Sequence, residues 1–128
     1  MLILLVSCHC MQIQRTDGLW YWAEYSTFSI SDEVGKYQLT VAGYSGDAGD
    51  AIMGSPDPNW VSNGRMFTTI DDENDTWAGG NCAQYGAGGW WFGECSSSEV
   101  NRDGNGIWQT HDATWNVQTS RMLVKVSL

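Results

Sequence analysis

Two cysteines that enclose a segment rich in glycine and tryptophan constrain this chain most strongly. Cys82 and Cys95 bound residues 83–94, which include two adjacent tryptophans and several glycines. No CxxC pair occurs, so the sequence signals neither a zinc ribbon nor a thioredoxin-type site. A disulfide between the two cysteines is one interpretation, and it implies an oxidising compartment. Two buried free thiols are the alternative.

The composition favours one compact domain and excludes some classes of partner. The chain has 128 residues, of which 15 are glycine and 8 are tryptophan, and only 16% are charged. Such a mix is typical of a loop-rich, aromatic protein rather than a disordered tail. With a formal net charge of -9, the chain lacks the excess of basic residues that binds nucleic acid phosphates. Acidity suits metal ions or basic ligands, or simply keeps the protein soluble.

The first residues differ in character from the rest. Residues 1–18 are interpreted as a leader or non-homologous segment, and residues 19–128 as one domain. The apolar residues 1–6 lack a basic start, are short for a signal sequence and are far too short to span a bilayer. The Cys8-His9-Cys10 cluster could bind a soft metal, but a cluster without a second half is more often incidental.

Patterns in the remaining sequence predict short strands between long loops. Residues 36–41 alternate in polarity, and residues 66–70 and 122–126 are rich in β-forming types. A stretch rich in Gly, Ser, Asp and Pro over residues 42–59 predicts a loop. The best helix candidate, residues 31–34, is short. The sequence therefore predicts an α+β, loop-dominated fold with a short antiparallel sheet.

The densest chemistry is the acidic loop over residues 71–80, with the sequence DDENDTWAGG. Calcium prefers six to eight oxygens from carboxylates, carbonyls and water, which alternating acids and a glycine turn can supply. The EF-hand spacing is not met, because the sixth and twelfth positions counted from Asp71 are Thr76 and Cys82. A solvated turn remains an alternative.

A catalytic role for the acidic loop is poorly supported. A glycosidase needs two carboxylates that flank a cleft, whereas acids crowded into one short loop repel each other unless a cation neutralises them. The sequence also carries no nucleophile elbow, HExxH motif or phosphate-binding loop. We therefore predict that the protein is not an enzyme.

Several motifs, in order along the chain, resemble the C-terminal globular domain of the fibrinogen-related family. They are residues 22–28 (WAEYSTF), 37–50 (YQLTVAGYSGDAGD), 63–69 (NGRMFTT), 71–75 (DDEND), 80–83 (GNCA), 88–91 (GGWW) and 105–108 (NGIW). The resemblance covers nearly all of residues 20–126, and the family's N-terminal subdomain has no counterpart. It implies a secreted fibrinogen-like globe, truncated at its N-terminus, with a calcium loop and one disulfide.

The resemblance also implies site residues. The family includes fibrinogen chain ends, ficolins, tenascins and angiopoietins, which are extracellular recognition domains without enzymatic activity. The calcium side chains carried over by motif are Glu73 and Asp75, with backbone carbonyls near Trp77 and Gly79. Asp71 matches the first acid of the family's run and contributes less directly.

The resemblance further assigns a disulfide and a ligand pocket. Cys82 pairs with Cys95, and the pocket is lined by Tyr85, Cys95, Ser96 and His111. The peptide before Cys95 falls where the family often has a cis bond. Aromatic and polar groups side by side suit a small neutral ligand such as an acetylated sugar.

Departures from the family pattern keep two functions open. Glu73 stands where Asp is usual, Ser96 stands where many members carry a pocket histidine, and the segment from Cys95 to Trp108 is shorter. The first function is a calcium-stabilised, lectin-like domain that binds acetylated glycans in defence or adhesion. The alternative is a matrix or growth-factor type of protein–protein module with a vestigial pocket. The expected partners are glycans or extracellular proteins, not nucleic acid or a membrane, and homo-oligomerisation is left open.

Overall fold

The computed structural model describes residues 5–86, 88–102 and 104–127. Its strands are β1 (Leu5–Arg15), β2 (Trp20–Ile30), β3 (Leu39–Gly46), β4 (Phe67–Thr68), β5 (Trp90–Trp91), β6 (Gly106–Gln109) and β7 (Thr114–Ser127). A 3-10 turn spans Pro58–Trp60, and the helix α1 spans Cys82–Gly86. Five strands form one antiparallel sheet in the order β3-β2-β1-β7-β6, and β4 pairs with β5. None of the described helices is long and apolar enough to cross a bilayer.

Strand β1 lies at the centre of the large sheet, between β2 and β7. Met11 and Ile13 on its inner face have no exposed surface, whereas Gln12 between them is only partly buried. We expected residues 1–18 to lie outside the domain, and the structure instead uses residues 5–15 as its central strand. The period-two alternation of this segment supplies the apolar face that the core needs. Residues 1–4 lie outside the described residues.

Strand β3 is longer than the sequence indicated, because two of its glycines allow close strand contact. The predicted loop over residues 42–59 starts inside this strand, which runs to Gly46. Gly43 and Gly46 both have positive φ, and a Cβ on Gly43 would overlap the side chain of Ser26 on β2. Glycine within a strand often marks such an approach rather than a loop. Residues 31–34, the expected helix, form an irregular turn instead.

Buried tryptophans tie the core together through their indole nitrogens. Trp90 and Trp108 are each 1% exposed, and Trp91 is also buried, as expected for core supports of the disulfide segment. Nε1 of Trp108 donates to the carbonyl oxygens of Ala48 and Gly49, both at 3.1 Å. Each buried indole N–H needs such an acceptor, so Trp108 fixes the loop after β3 against β6.

A carboxylate also fastens the loop after β3 to the sheet. One oxygen of Asp50 accepts the Tyr25 hydroxyl at 2.7 Å and the backbone N–H of Met53 at 2.9 Å. Burial raises the pKa of Tyr25, and the neighbouring Asp50 charge raises it further. The tyrosine therefore stays protonated and remains a donor, which keeps the loop tethered.

Candidate functional site

Asp75 joins the acidic loop to the disulfide-bonded segment. Its Oδ1 accepts the backbone N–H of Trp77 at 3.0 Å, and its Oδ2 accepts that of Cys82 at 2.9 Å. Cys82 is the first residue of α1, so Asp75 satisfies an N–H that the helix itself leaves unpaired. The shape of the loop therefore depends on this carboxylate even without a ligand.

The other acids of the loop face solvent. Asp71, Asp72 and Glu73 are all exposed. The Thr69 hydroxyl donates to Asp71 at 2.8 Å and holds the pKa of that carboxyl below its ordinary value. Asp72 pairs with the Lys36 ammonium at 3.2 Å. The exposed face of the loop thus carries a concentrated negative charge. Among the described ion pairs, only the one with Lys36 offsets part of it.

The turn after the acids forms an aromatic groove. The indole of Trp77 packs over Gly79 and Gly80, where a Cβ on Gly79 would lie 2.7 Å from its Nε1. Trp77 also meets the ring of Tyr85 edge to face, with centroids 5.8 Å apart. The groove has a volume of about 310 Å³. Its lining is Trp77, Gly79, Gly80, Asn81, Gln84 and Tyr85.

The acidic loop offers oxygen ligands of the kind that calcium prefers. Within the part of the chain that the structure describes, no three His, Cys, Asp or Glu side chains gather around one point. Calcium held by two carboxylates, backbone carbonyls and water does not require such a group. Each oxygen of Asp75 accepts one hydrogen bond and keeps capacity for a second partner. The proposed ligands Asp71, Glu73 and Asp75, with the carbonyls of Trp77 and Gly79, therefore remain a prediction.

The predicted disulfide is present. Cys82 and Cys95 are bonded, with their Cα atoms 5.4 Å apart, and the Glu94–Cys95 peptide is cis. The carbonyl of Gly93 accepts the backbone N–H of Thr76 at 3.1 Å. The disulfide thus closes the segment on itself, and the hydrogen bond from Thr76 to Gly93 joins the acidic loop to that segment.

Ser96 belongs to a network of serine hydroxyls that the sequence analysis missed. Its Oγ lies 2.9 Å from that of Ser62 and 3.2 Å from that of Ser98. Nε1 of Trp90 donates to both Ser62 and Ser98 at 3.1 Å. The three consecutive serines 96–98 were the available signal, but their partners come from distant segments. The Ser96 hydroxyl supports the core as well as lining the surface.

The predicted pocket residues occupy separate surroundings. Tyr85 is 77% exposed and belongs to the groove at Trp77. Ser96 faces the serine network, and His111 is exposed at the turn between β6 and β7. No described contact joins Tyr85, Ser96 and His111. Their joint role as one pocket stays a prediction.

Proteins of similar sequence match most of this chain. Residues 7–123 match the sequence model of the family described as fibrinogen beta and gamma chains, C-terminal globular domain. Fibrinogen-like protein 1 of Bos taurus is 38% identical, over 73% of this chain and 35% of that protein. Fibroleukin of Bos taurus is 36% identical, over 71% of this chain and 20% of that protein. The chain thus spans about a third of the length of fibrinogen-like protein 1.

Solved structures share the fold. The fibrinogen-like globe domain of human ANGPTL2 has a TM-score of 0.77 and 27% identity, and the match covers 92% of this chain and 57% of that one. A lamprey fibrin D-dimer, complexed with the peptide ligand Gly-His-Arg-Pro-amide, has a TM-score of 0.79 at 24% identity, with coverage of 91% and 44%. These likenesses confirm the expected fold class, a fibrinogen-like globe with an antiparallel sheet, few helices and one disulfide.

Proposed function

Because this protein belongs to the family formed by the C-terminal globular domains of fibrinogen beta and gamma chains, we propose that it is an extracellular recognition domain that binds its partner without chemical turnover. One observation carries the proposal: the acidic loop, the disulfide and the aromatic groove form one connected segment, joined through Asp75 and Trp77. A cation bound at the loop would therefore act directly on the shape of the groove.

Calcium is the ion that this loop suits. Asp71, Glu73 and Asp75 would supply carboxylate oxygens, and Trp77 and Gly79 would supply carbonyl oxygens. Bound calcium would neutralise the repulsion among the acids and hold the turn that carries the Trp77 indole. A turn ordered in advance lowers the entropy cost of ligand binding.

The groove suits a neutral ligand that has an apolar face and an amide. The Trp77 and Tyr85 rings offer apolar surface, and the amides of Asn81 and Gln84 offer donors and acceptors. An acetylated sugar combines these two features, so we favour an acetylated glycan. We propose that the other predicted pocket residues, Cys95, Ser96 and His111, form a second face that can contact the ligand.

Calorimetric titration of the oxidised protein with calcium tests the metal. We expect binding in the parent and a loss of about tenfold or more in affinity with Glu73→Gln, because one charged ligand is removed. Glu33→Gln is the matched control, since Glu33 is exposed on a different loop, and it should bind as the parent does. Asp75→Asn is less clean, because Asp75 also holds two backbone N–H groups. A folded parent that gives no binding heat would sink the calcium mechanism.

Retention on a resin that carries N-acetylglucosamine tests the ligand. We expect retention in calcium, release by free N-acetylglucosamine, and loss with Tyr85→Ala. Ile70→Ala removes an exposed apolar side chain nearby (59% exposed) and should change nothing. Loss with Ser96→Ala or His111→Ala alone would move the ligand to the second face. Absence of retention at any calcium concentration would reject the glycan ligand.

A protein partner is the second candidate function. Relatives named fibrinogen-like protein 1 and the ANGPTL2 globe domain suit a protein-interaction module as well as a lectin. The involvement of the Ser96 hydroxyl in the inner network also favours a reduced pocket. The resin experiment separates the two, because only a lectin is eluted by the free sugar.

A further inference from the structure

Strand β7 extends well beyond its short neighbour β6 and so forms an edge of the sheet. On one side β7 pairs with β1 from Val117 to Ser127. On the other side it pairs with β6 only from Thr114 to Val117. Along residues 118–127, no described strand pairs with this second side. We call residues 118–127 the open edge.

The open edge exposes apolar side chains on both of its faces. Met122, Leu123, Val124 and Val126 are 41%, 46%, 53% and 37% exposed. Leu123 lies on the outer face of the sheet, and the other three lie on the opposite face. A long, exposed, apolar edge is a template for another strand, because its outward N–H and C=O groups can continue the ladder.

The open edge is basic, although the protein as a whole is acidic. Arg121 and Lys125 are two of only six basic residues in a chain with a net charge of -9. They are four residues apart on one strand and therefore share the outer face. Arg121 is held there by the ring of Trp20, with its guanidinium carbon 4.3 Å from the centroid. Arg121 and Lys125 thus flank Leu123 on the outer face, and each also makes a contact within the chain.

We propose that the open edge binds an extended acidic strand of a partner protein by extending the sheet. Apolar residues of that strand would cover Met122, Val124 and Val126, and its acidic residues would lie opposite Arg121 and Lys125. Backbone hydrogen bonds supply affinity in this mode, and alternate side chains supply specificity. The proposal is independent of the groove and of calcium.

A second copy of this chain fits the edge less well. Two copies related by a twofold axis would pair the open edges antiparallel. That pairing gathers Arg121 and Lys125 of both copies on one face of a two-stranded ladder, and like charges across strands are destabilising. Charge complementarity therefore favours an acidic strand over self-pairing.

Synthetic peptides test the proposal. The probe is a soluble peptide of alternating valine and glutamate, compared with a peptide of alternating valine and lysine. A third peptide repeats the first sequence with methylated backbone nitrogens, which cannot donate hydrogen bonds. Fluorescence anisotropy gives the affinities, and hydrogen exchange locates newly protected amides. We expect the glutamate peptide to bind at least about tenfold more tightly than either control and to protect amides within residues 118–127.

Charge reversal adds a second readout. Arg121→Glu combined with Lys125→Glu should exchange the preference, so that the lysine peptide binds more tightly. If that variant does not fold, weakening of the glutamate complex by salt in the parent serves the same purpose.

Three results would overturn the proposal. The first is no binding of the glutamate peptide. The second is equal binding of the methylated peptide. The third is a dimer formed without peptide whose protected amides are those of residues 118–127, because the edge would then serve a second copy.

Discussion

Acidification should lower the free energy of unfolding, because one histidine is buried on the central strand. His9 is 1% exposed, and neither ring nitrogen has a hydrogen-bond partner in the described structure. Its ring stacks on Phe28, with centroids 4.4 Å apart. Burial lowers the pKa of His9 from 6.5 to about 4, because the charged form would lose its hydration.

The direction follows from proton uptake. Between pH 6.5 and 4 the unfolded protein binds a proton at His9 and the folded protein does not, so the free energy of unfolding falls as the pH falls. The full difference in pKa corresponds to about 3 kcal/mol at most, lost between about pH 7 and pH 4. From about pH 7 to pH 5 the loss is about 2 kcal/mol.

Urea denaturation followed by tryptophan fluorescence, at about pH 7, 6 and 5, measures this loss. His9→Phe is the control, because it keeps an aromatic ring against Phe28 and removes the titration. The carboxylates are common to both proteins, so the difference between the two pH profiles isolates His9. Parallel profiles for the parent and for His9→Phe would refute the reasoning.

Three further changes test the core and its connections by chemical denaturation. Replacing Cys82 and Cys95 together with Ala should lower the free energy of unfolding by about 3 kcal/mol, since a short loop is released in the unfolded state. Its denaturation midpoint should no longer respond to reductant, and a parent equally insensitive to reductant would contradict the bond. Asp50→Ala should lower the free energy of unfolding by about 2–3 kcal/mol because buried donors lose their acceptor, whereas Asp50→Asn should lose less. Trp90→Phe should lower it by about 2 kcal/mol through a cavity and the loss of the indole donor to Ser62 and Ser98, and an unchanged midpoint would contradict that account.

Local chemistry made the disulfide segment and the acidic loop predictable. Cysteine spacing and the run of acids near glycines are short-range signals, and the resemblance placed them in one family. The pairing of Cys82 with Cys95 is confirmed, as is the burial of Trp90 and Trp91. The metal stays a prediction, because ligand types can be seen in a sequence but their convergence cannot.

The role of β1 could not be assigned from the same kind of signal. His9, Met11 and Ile13 alternate with polar residues, so a strand face was present in the sequence. Alternation reveals the two faces of a strand but not its neighbours in the sheet. Pairing with β2 is local, because the two strands are consecutive, but pairing with β7 joins residues from opposite ends of the sequence, such as Met11 and Met122.

By itself, the sequence determined the family, the disulfide, the acidic loop and the antiparallel character of the sheet. Only the tertiary structure decided that residues 5–15 form the centre of the sheet, that Ser96 joins Ser62 and Ser98, and that residues 118–127 form an open edge. The physical reason is the range of the interactions. Turns, caps and acidic clusters depend on neighbours within a few residues, whereas strand order and hydroxyl networks depend on contacts that form only after the long loops have closed.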